Sequence, residues 1–118
     1  MPKYKSKLEQ NFARSFPQTS YEPTRLSYEQ TRHYTPDFKF SDTLYVETKG
    51  LFTGADRTKH KLIRQKYPNI TIILVFENPQ RKLSKRSTIS YADYCDKQGW
   101  PWSDANPINV QKAIDAAS

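Results

Sequence analysis

Three residues stand close together in types and at spacings that could do chemistry: Asp37, Glu47 and, two positions further on, Lys49. Carboxylate oxygens are the ligands that Mg²⁺ or Mn²⁺ prefers. An amine beside them can orient or deprotonate a water, or neutralise charge developing on a phosphate. Together they make the minimum kit for hydrolysing a phosphodiester: a metal on the phosphate oxygens, a generated hydroxide and a cation near the transition state. His33 and the backbone carbonyl of Thr48 are further candidate ligands, the carbonyl the better because it directly follows Glu47. The competing reading is a solvated strand face whose acids and bases pair across neighbouring strands.

Whether the three residues share a face depends on the elements that carry them. Phe38, Phe40, Leu44 and Val46 alternate with Asp37, Lys39, Tyr45 and Glu47, a period of two that predicts a β-hairpin. A two-residue loop, Ser41-Asp42, would set Glu47 on the face opposite Asp37. A three-residue loop, Ser41-Asp42-Thr43, pairs Phe40 with Leu44, Phe38 with Val46 and Asp37 with Glu47. Only the second register puts all four apolar side chains on one face, since a slip of one residue inverts every position. Lys49 then projects from the same face as Glu47. Pro36-Asp37, nine intervening residues and Glu47-Thr48-Lys49 have the spacing of the PD-(D/E)xK nuclease signature. So short a pattern is not specific on its own.

Around the hairpin the chain reads as alternating helix and strand. Residues 7–16 form a short amphipathic helix with Leu8, Phe12 and Phe16 on one stripe, ended by Pro17. Residues 18–33 are polar, with Tyr21, Leu26 and Tyr28 spaced as in extended structure, and read as an exposed ribbon, a linker or an arm reaching a second subunit. Residues 53–67 form a basic helix carrying Arg57, Lys59, Lys61, Arg64 and Lys66 around a thin stripe of Leu62 and Ile63. Residues 70–76 are apolar almost throughout, as expected of a central strand, and the intervening helix implies a right-handed crossover that sets this strand parallel to the Glu47 strand. Residues 78–87 are a loop with Arg81, Lys82, Lys85 and Arg86. Ser90 and Asp93 make a capping box for a helix that stops at Gly99. Trp100-Pro101-Trp102 reads as a turn, and residues 107–117 as a terminal helix.

Composition narrows the partners. The formal charge of +7 and a pI near 9.5 favour a polyanion. Hydrophobic residues make up only 36%, so eight Tyr, six Phe and two Trp must supply much of the burial. So lean a core also makes dimerisation a reasonable expectation. Cys95 is the single cysteine, which excludes a disulfide framework and a cysteine-based zinc site and fits a reducing compartment. Residues 1–10 do not have the pattern of a signal peptide, and the longest apolar stretch is of strand length. A soluble, cytoplasmic protein without a membrane partner is expected.

Three stretches then become recognisable: His33-Tyr34-Thr35-Pro36-Asp37-Phe38, Val46-Glu47-Thr48-Lys49-Gly50-Leu51 and Asp56-Arg57-Thr58-Lys59-His60-Lys61-Leu62-Ile63-Arg64. In this order, and followed by Val75-Phe76, Lys82-Leu83, Ser90-Tyr91 and Tyr94-Cys95, they resemble the phage endonuclease I family, the Holliday-junction resolvases of podoviruses, from residue 8 to residue 102. The resemblance implies an α/β fold with a restriction-endonuclease-like mixed sheet flanked by helices, in one nuclease domain over residues 1–118. Residues 1–33 would be the helix and bridging ribbon, 34–103 the catalytic core and 104–118 a tail. It further implies an intertwined homodimer that exchanges N-terminal segments, and a phage enzyme working in the cytoplasm of the infected host.

By the same resemblance, Asp37, Glu47 and Lys49 are catalytic, and Leu8-Glu9 matches the position of an additional glutamate. Glu9, Asp37, Glu47 and the carbonyl of Thr48 would hold two Mg²⁺ or Mn²⁺ ions, with Glu9 reaching the partner's site. Arg57, Lys59, Lys61, Arg64, Lys66, Arg81, Lys82 and Lys85 become candidates for DNA phosphate contact, and Arg86 with them. The substrate implied is branched DNA, above all four-way junctions. The alternatives are a nuclease of the same fold acting on mismatched or ordinary duplex DNA, and a DNA-binding module without catalysis. The interval from Glu9 to Asp37 is shorter than the family pattern, and residues 106–118 carry little charge where a basic tail is expected.

Overall fold

Alternation of apolar and polar residues sets the hairpin in the register that a three-residue loop requires. In the computed structural model, which describes residues 4–22 and 25–118, β1 (Phe38–Lys39) runs antiparallel to β2 (Leu44–Lys49), with Phe38 opposite Val46 and Lys39 opposite Tyr45. The Phe40 N–H donates to the Leu44 carbonyl at 2.9 Å and closes the loop. Leu44 and Val46 are buried, but Phe38 and Phe40 on the same side are each 56% exposed. The register is thus the expected one, while the expected burial holds for only half of the stripe.

The next strand, β3 (Thr71–Phe76), pairs parallel with β2, and Glu47 stands opposite Leu74. The crossover between them is α2 (Gly54–Lys66). Five consecutive residues of β3, Ile72 to Phe76, are buried, because helices lie on both sides of this central strand. On one side α4 (Pro107–Ala117) packs Val110, Ala113, Ile114 and Ala117 against Leu44, Val46, Ile73 and Val75. On the other, Phe52, Leu74 and Phe76 gather with Tyr91 and Cys95 of α3 (Tyr91–Gln98). Ser90 and Asp93 cap α3 reciprocally, and Gly99 ends it at φ 74°, a left-handed value that a Cβ would strain.

Two expectations need correcting. Residues 100–102 are not simply a turn: Trp102 begins β4 (Trp102–Asp104), which runs parallel to β3 and completes a mixed sheet in the order β1-β2-β3-β4. Pro101 lacks an N–H, yet its carbonyl accepts from Leu74 N at 3.1 Å, so proline fits at the start of an edge strand. Nor is the inward stripe of α2 built on Leu62 and Ile63. Leu62 is 60% exposed, whereas His60 is fully buried and Arg57, Ile63 and Arg64 are half-buried. The wall they meet is aromatic, with Tyr34, Phe52 and Trp100 ringing His60. An imidazole and two guanidinium groups pack there as flat bodies.

The described residues fall into two units, Met1–His33 and Tyr34–Ser118. In the first, Ser6 caps α1 (Lys7–Ser15), its hydroxyl accepting from Glu9 N, and Phe16 is the C-cap. Leu8, Phe12 and Phe16 stay 79%, 57% and 44% exposed, so the apolar stripe of this helix has no cover among the described residues. No described helix is long and apolar enough to cross a membrane.

Candidate active site

The hairpin brings the two carboxylates together from their own backbones. Glu47 Oε1 accepts from the Asp37 N–H at 3.2 Å, and Asp37 Oδ2 accepts from both the N–H and the hydroxyl of Thr48, at 2.9 and 2.8 Å. Each acid is therefore anchored to the opposite strand. Their environments differ. Glu47 is buried on the face packed by α2, and that burial, reinforced by the Asp37 charge, pushes its pKa up. Asp37 is exposed, and the Thr48 N–H followed by the Thr48 hydroxyl holds its carboxyl below the ordinary range. Asp37 Oδ1 takes no hydrogen bond among the described residues.

Lys49 closes the group at the end of β2. Its Nζ lies 3.9 Å from Glu47 Oε2 and 3.1 Å from Asp56 Oδ1, and it is largely shielded from solvent. Asp56 was not among the residues singled out from the spacing. A signal for it was present, since Thr53 and Asp56 form a capping box at the start of α2. Tyr34, whose place in the sequence near Asp37 leaves its role open, also borders the site: its hydroxyl is buried, and burial followed by the neighbouring Glu47 charge pushes its pKa up. The ring stacks edge-on to His60 at 5.4 Å and carries Lys59 Nζ above it at 5.0 Å.

These donors fit a hard divalent cation as far as they go: two adjacent carboxylates, one with an unengaged oxygen, and the carbonyl of Thr48, one residue before the end of β2. Among the described residues no third His, Cys, Asp or Glu joins them. A bound ion would need further oxygens from outside this group. Glu9 belongs to the N-terminal unit, where its Oε2 accepts from the Tyr21 hydroxyl and from Lys5 N at 2.9 Å. The Tyr21 hydrogen bond, ahead of the Lys5 N–H, holds that carboxyl below its usual range.

The basic residues divide. Lys61 and Lys66 of α2, and Arg81, Lys82, Lys85 and Arg86 of the following loop, are exposed. Lys82 Nζ donates to the Thr88 carbonyl at 3.2 Å. Arg57 donates to the Phe52 carbonyl at 2.8 Å, and Lys59 lies 3.8 Å from Asp56. Arg64, grouped with these by its charge, turns inward instead. It donates to the Ile72 carbonyl at 3.0 Å and lays its guanidinium 4.5 Å above Trp100, where burial lowers its pKa to about 10. The nearest partners of Arg64 are thus core groups.

The family model for phage endonuclease I matches residues 2–113. The chain belongs to the phage endonuclease I family. Similar curated proteins include Endodeoxyribonuclease 1 of Enterobacteria phage T3, 42% identical over 87 residues, which are 71% of this chain and 57% of that protein. Endonuclease I of Escherichia phage T7 is 45% identical over 71 residues, 60% of this chain and 48% of that protein. The chain thus matches about half the length of these relatives. The match to the family includes the hairpin, α2 and the basic loop, the elements that hold the carboxylates, Lys49 and the exposed cations.

Proposed function

We propose that this chain is a Mg²⁺- or Mn²⁺-dependent endodeoxyribonuclease that cuts branched DNA, four-way junctions above all, as a phage-encoded homodimer in the infected host's cytoplasm. The observation that carries the reading is the convergence of Asp37, Glu47 and Lys49 on one strand pair, in a member of the phage endonuclease I family.

Asp37, Glu47 and the Thr48 carbonyl would hold the metal, with Glu9 serving a second ion. The metal, when bound, supplies Lewis acidity and a lowered pKa for its water. Thr48 fixes the rotamer of Asp37 through two hydrogen bonds, and burial holds Glu47 against the sheet. Lys49 presents its ammonium where negative charge develops on the phosphate, or orients the attacking water. Lys61, Lys66, Arg81, Lys82, Lys85 and Arg86 are offered as phosphate contacts, with Arg57 and Lys59 nearer the site. Arg64 is left out because its guanidinium is spent on Ile72 and Trp100. Contacts of this kind carry no sequence information, which suits an enzyme that reads shape. The exposed stripe of α1 and the uncovered Phe38 and Phe40 favour a dimer, and a restriction-endonuclease-like sheet with exchanged N-terminal segments remains the expected frame.

A fixed-sequence four-way junction and its linear duplex arms, incubated separately with Mg²⁺, test the substrate. Preferential cutting of the junction is expected; equal rates would leave a same-fold duplex or mismatch nuclease, and no cutting with Mg²⁺ or Mn²⁺ would leave a DNA-binding module. Lys49→Ala is expected to hold junction affinity within about threefold while slowing single-turnover cleavage by about a hundredfold or more. Unaltered turnover would remove Lys49 from the chemistry. Mixing Glu9→Gln with Asp37→Asn chains tests exchange: heterodimers with one restored site would nick junctions.

A further inference from the structure

We propose that Asp56 is a positioning residue that acts through Lys49, resting on the nuclease reading above. Lys49 Nζ is within hydrogen-bonding reach of Asp56 Oδ1, 3.1 Å away, while Glu47 Oε2 stands at 3.9 Å. The lysine's strong bond therefore runs across to α2 and leaves the second oxygen of Glu47 for another partner. Without Asp56, Lys49 would keep only the longer, 3.9 Å approach to Glu47. Its ammonium would be loosely held, more open to solvent and no longer aimed at the phosphate, and any closure on Glu47 would compete with a metal for the same oxygen.

Asp56 suits this task because it is itself fixed. Its Oδ2 accepts from the Thr53 N–H and from the Thr53 hydroxyl, both at 3.0 Å, while its own N–H donates back to that hydroxyl at 3.1 Å. Oδ1 faces Lys49 and, at 3.8 Å, Lys59. One carboxylate thus spends one oxygen on the helix start and the other on the lysine. The pair is shielded: the side chains of Lys49 and Asp56 keep 17% and 18% of their exposure. An ion pair so placed is screened less than one at the surface. The device works because the loop Gly50 to Thr53 is too short to let the start of α2 drift from the end of β2.

Asp56→Asn tests the inference, since an amide oxygen can keep the Thr53 cap while the charge is lost. The wild type, Asp56→Asn and Asp56→Glu would be compared for junction binding, single-turnover cleavage with Mg²⁺, and acylation of Lys49 by an amine reagent read by peptide mass mapping, with Lys66 as the internal reference. Asp56→Asn is expected to slow cleavage by about tenfold or more with affinity within about twofold, to raise the labelling of Lys49 relative to Lys66, and to be partly rescued in both by Asp56→Glu. Unchanged Lys49 labelling, an unchanged cleavage rate, or equal losses in Asn and Glu variants would overturn it. A wild type that does not cut at all defeats the nuclease reading; the labelling comparison, which needs no catalysis, then still decides whether Asp56 holds Lys49.

Discussion

Both ring nitrogens of His60 are buried without a hydrogen-bond partner among the described residues, as suits a structural imidazole packed among rings rather than a metal ligand or proton carrier. Burial, with the charges of Arg64, Lys59 and Lys49 behind it, brings its pKa down to about 4. A folded-state pKa below the unfolded value of 6.5 stabilises the fold above pH 6.5, and that contribution is lost as pH falls towards 4. The loss is on the order of 3 kcal/mol. Urea unfolding at pH 7 and pH 4.5 should show a smaller fall for His60→Phe than for the wild type. Parallel falls would mean that the imidazole does not titrate with unfolding. Asp37, Glu47 and Lys49 were legible in the sequence because strand alternation and loop length decide which side chains share a face. Asp56 was harder to find, because it reaches the site from α2 and no local period links it to Glu47.

At the scale of elements, what was readable is what is encoded within a few residues. The cap of α3 needs only Ser90 and Asp93, and α4 needs Pro107 at its start with Asn106 accepting from Ile108 N at 2.9 Å. Ser90→Ala should cost about 1 kcal/mol, because it orphans the Asp93 N–H at a buried helix start. Thermal unfolding would register this as a drop of several degrees, about 4 °C or more, and an unchanged midpoint would show that the cap carries no stability. β4 was not readable, since three residues beginning after a proline have no periodicity to detect; only the open edge of β3 makes them a strand. The inward face of α2 escaped for a related reason. A hydrophobic stripe is the usual mark of burial, whereas here flat polar side chains are buried against rings that lie far away in sequence.

For the molecule as a whole, a charge of +7 is spread unevenly in function. Arg64 is committed to the core, while Lys61, Lys66 and the loop from Arg81 to Arg86 remain at the surface. Junction affinity measured against salt should separate the two groups. Replacing Lys61 by Gln should lower the slope of log K on log salt by about 0.9 if the lysine meets one phosphate of duplex DNA. A slope identical to the wild type would take Lys61 out of the interface. Arg64→Gln should instead lower thermal stability, because it leaves the Ile72 carbonyl without its donor, and should change the salt slope little.

The nine residues between Asp37 and Glu47 bear on the order in which the molecule assembles. A hairpin of this size closes in microseconds, whereas the parallel pairing of β2 with β3 has to wait for the chain to cross over through α2. The two carboxylates can therefore meet early, on a ribbon still open to water. The burial of Glu47, and the α2 anchor that Asp56 offers Lys49, are complete only once the crossover has packed and β3 has paired. A growing polypeptide would carry its acidic pair on an open ribbon first, and the completion of the sheet would mark the moment at which the pair and Lys49 reach the arrangement seen in the folded chain.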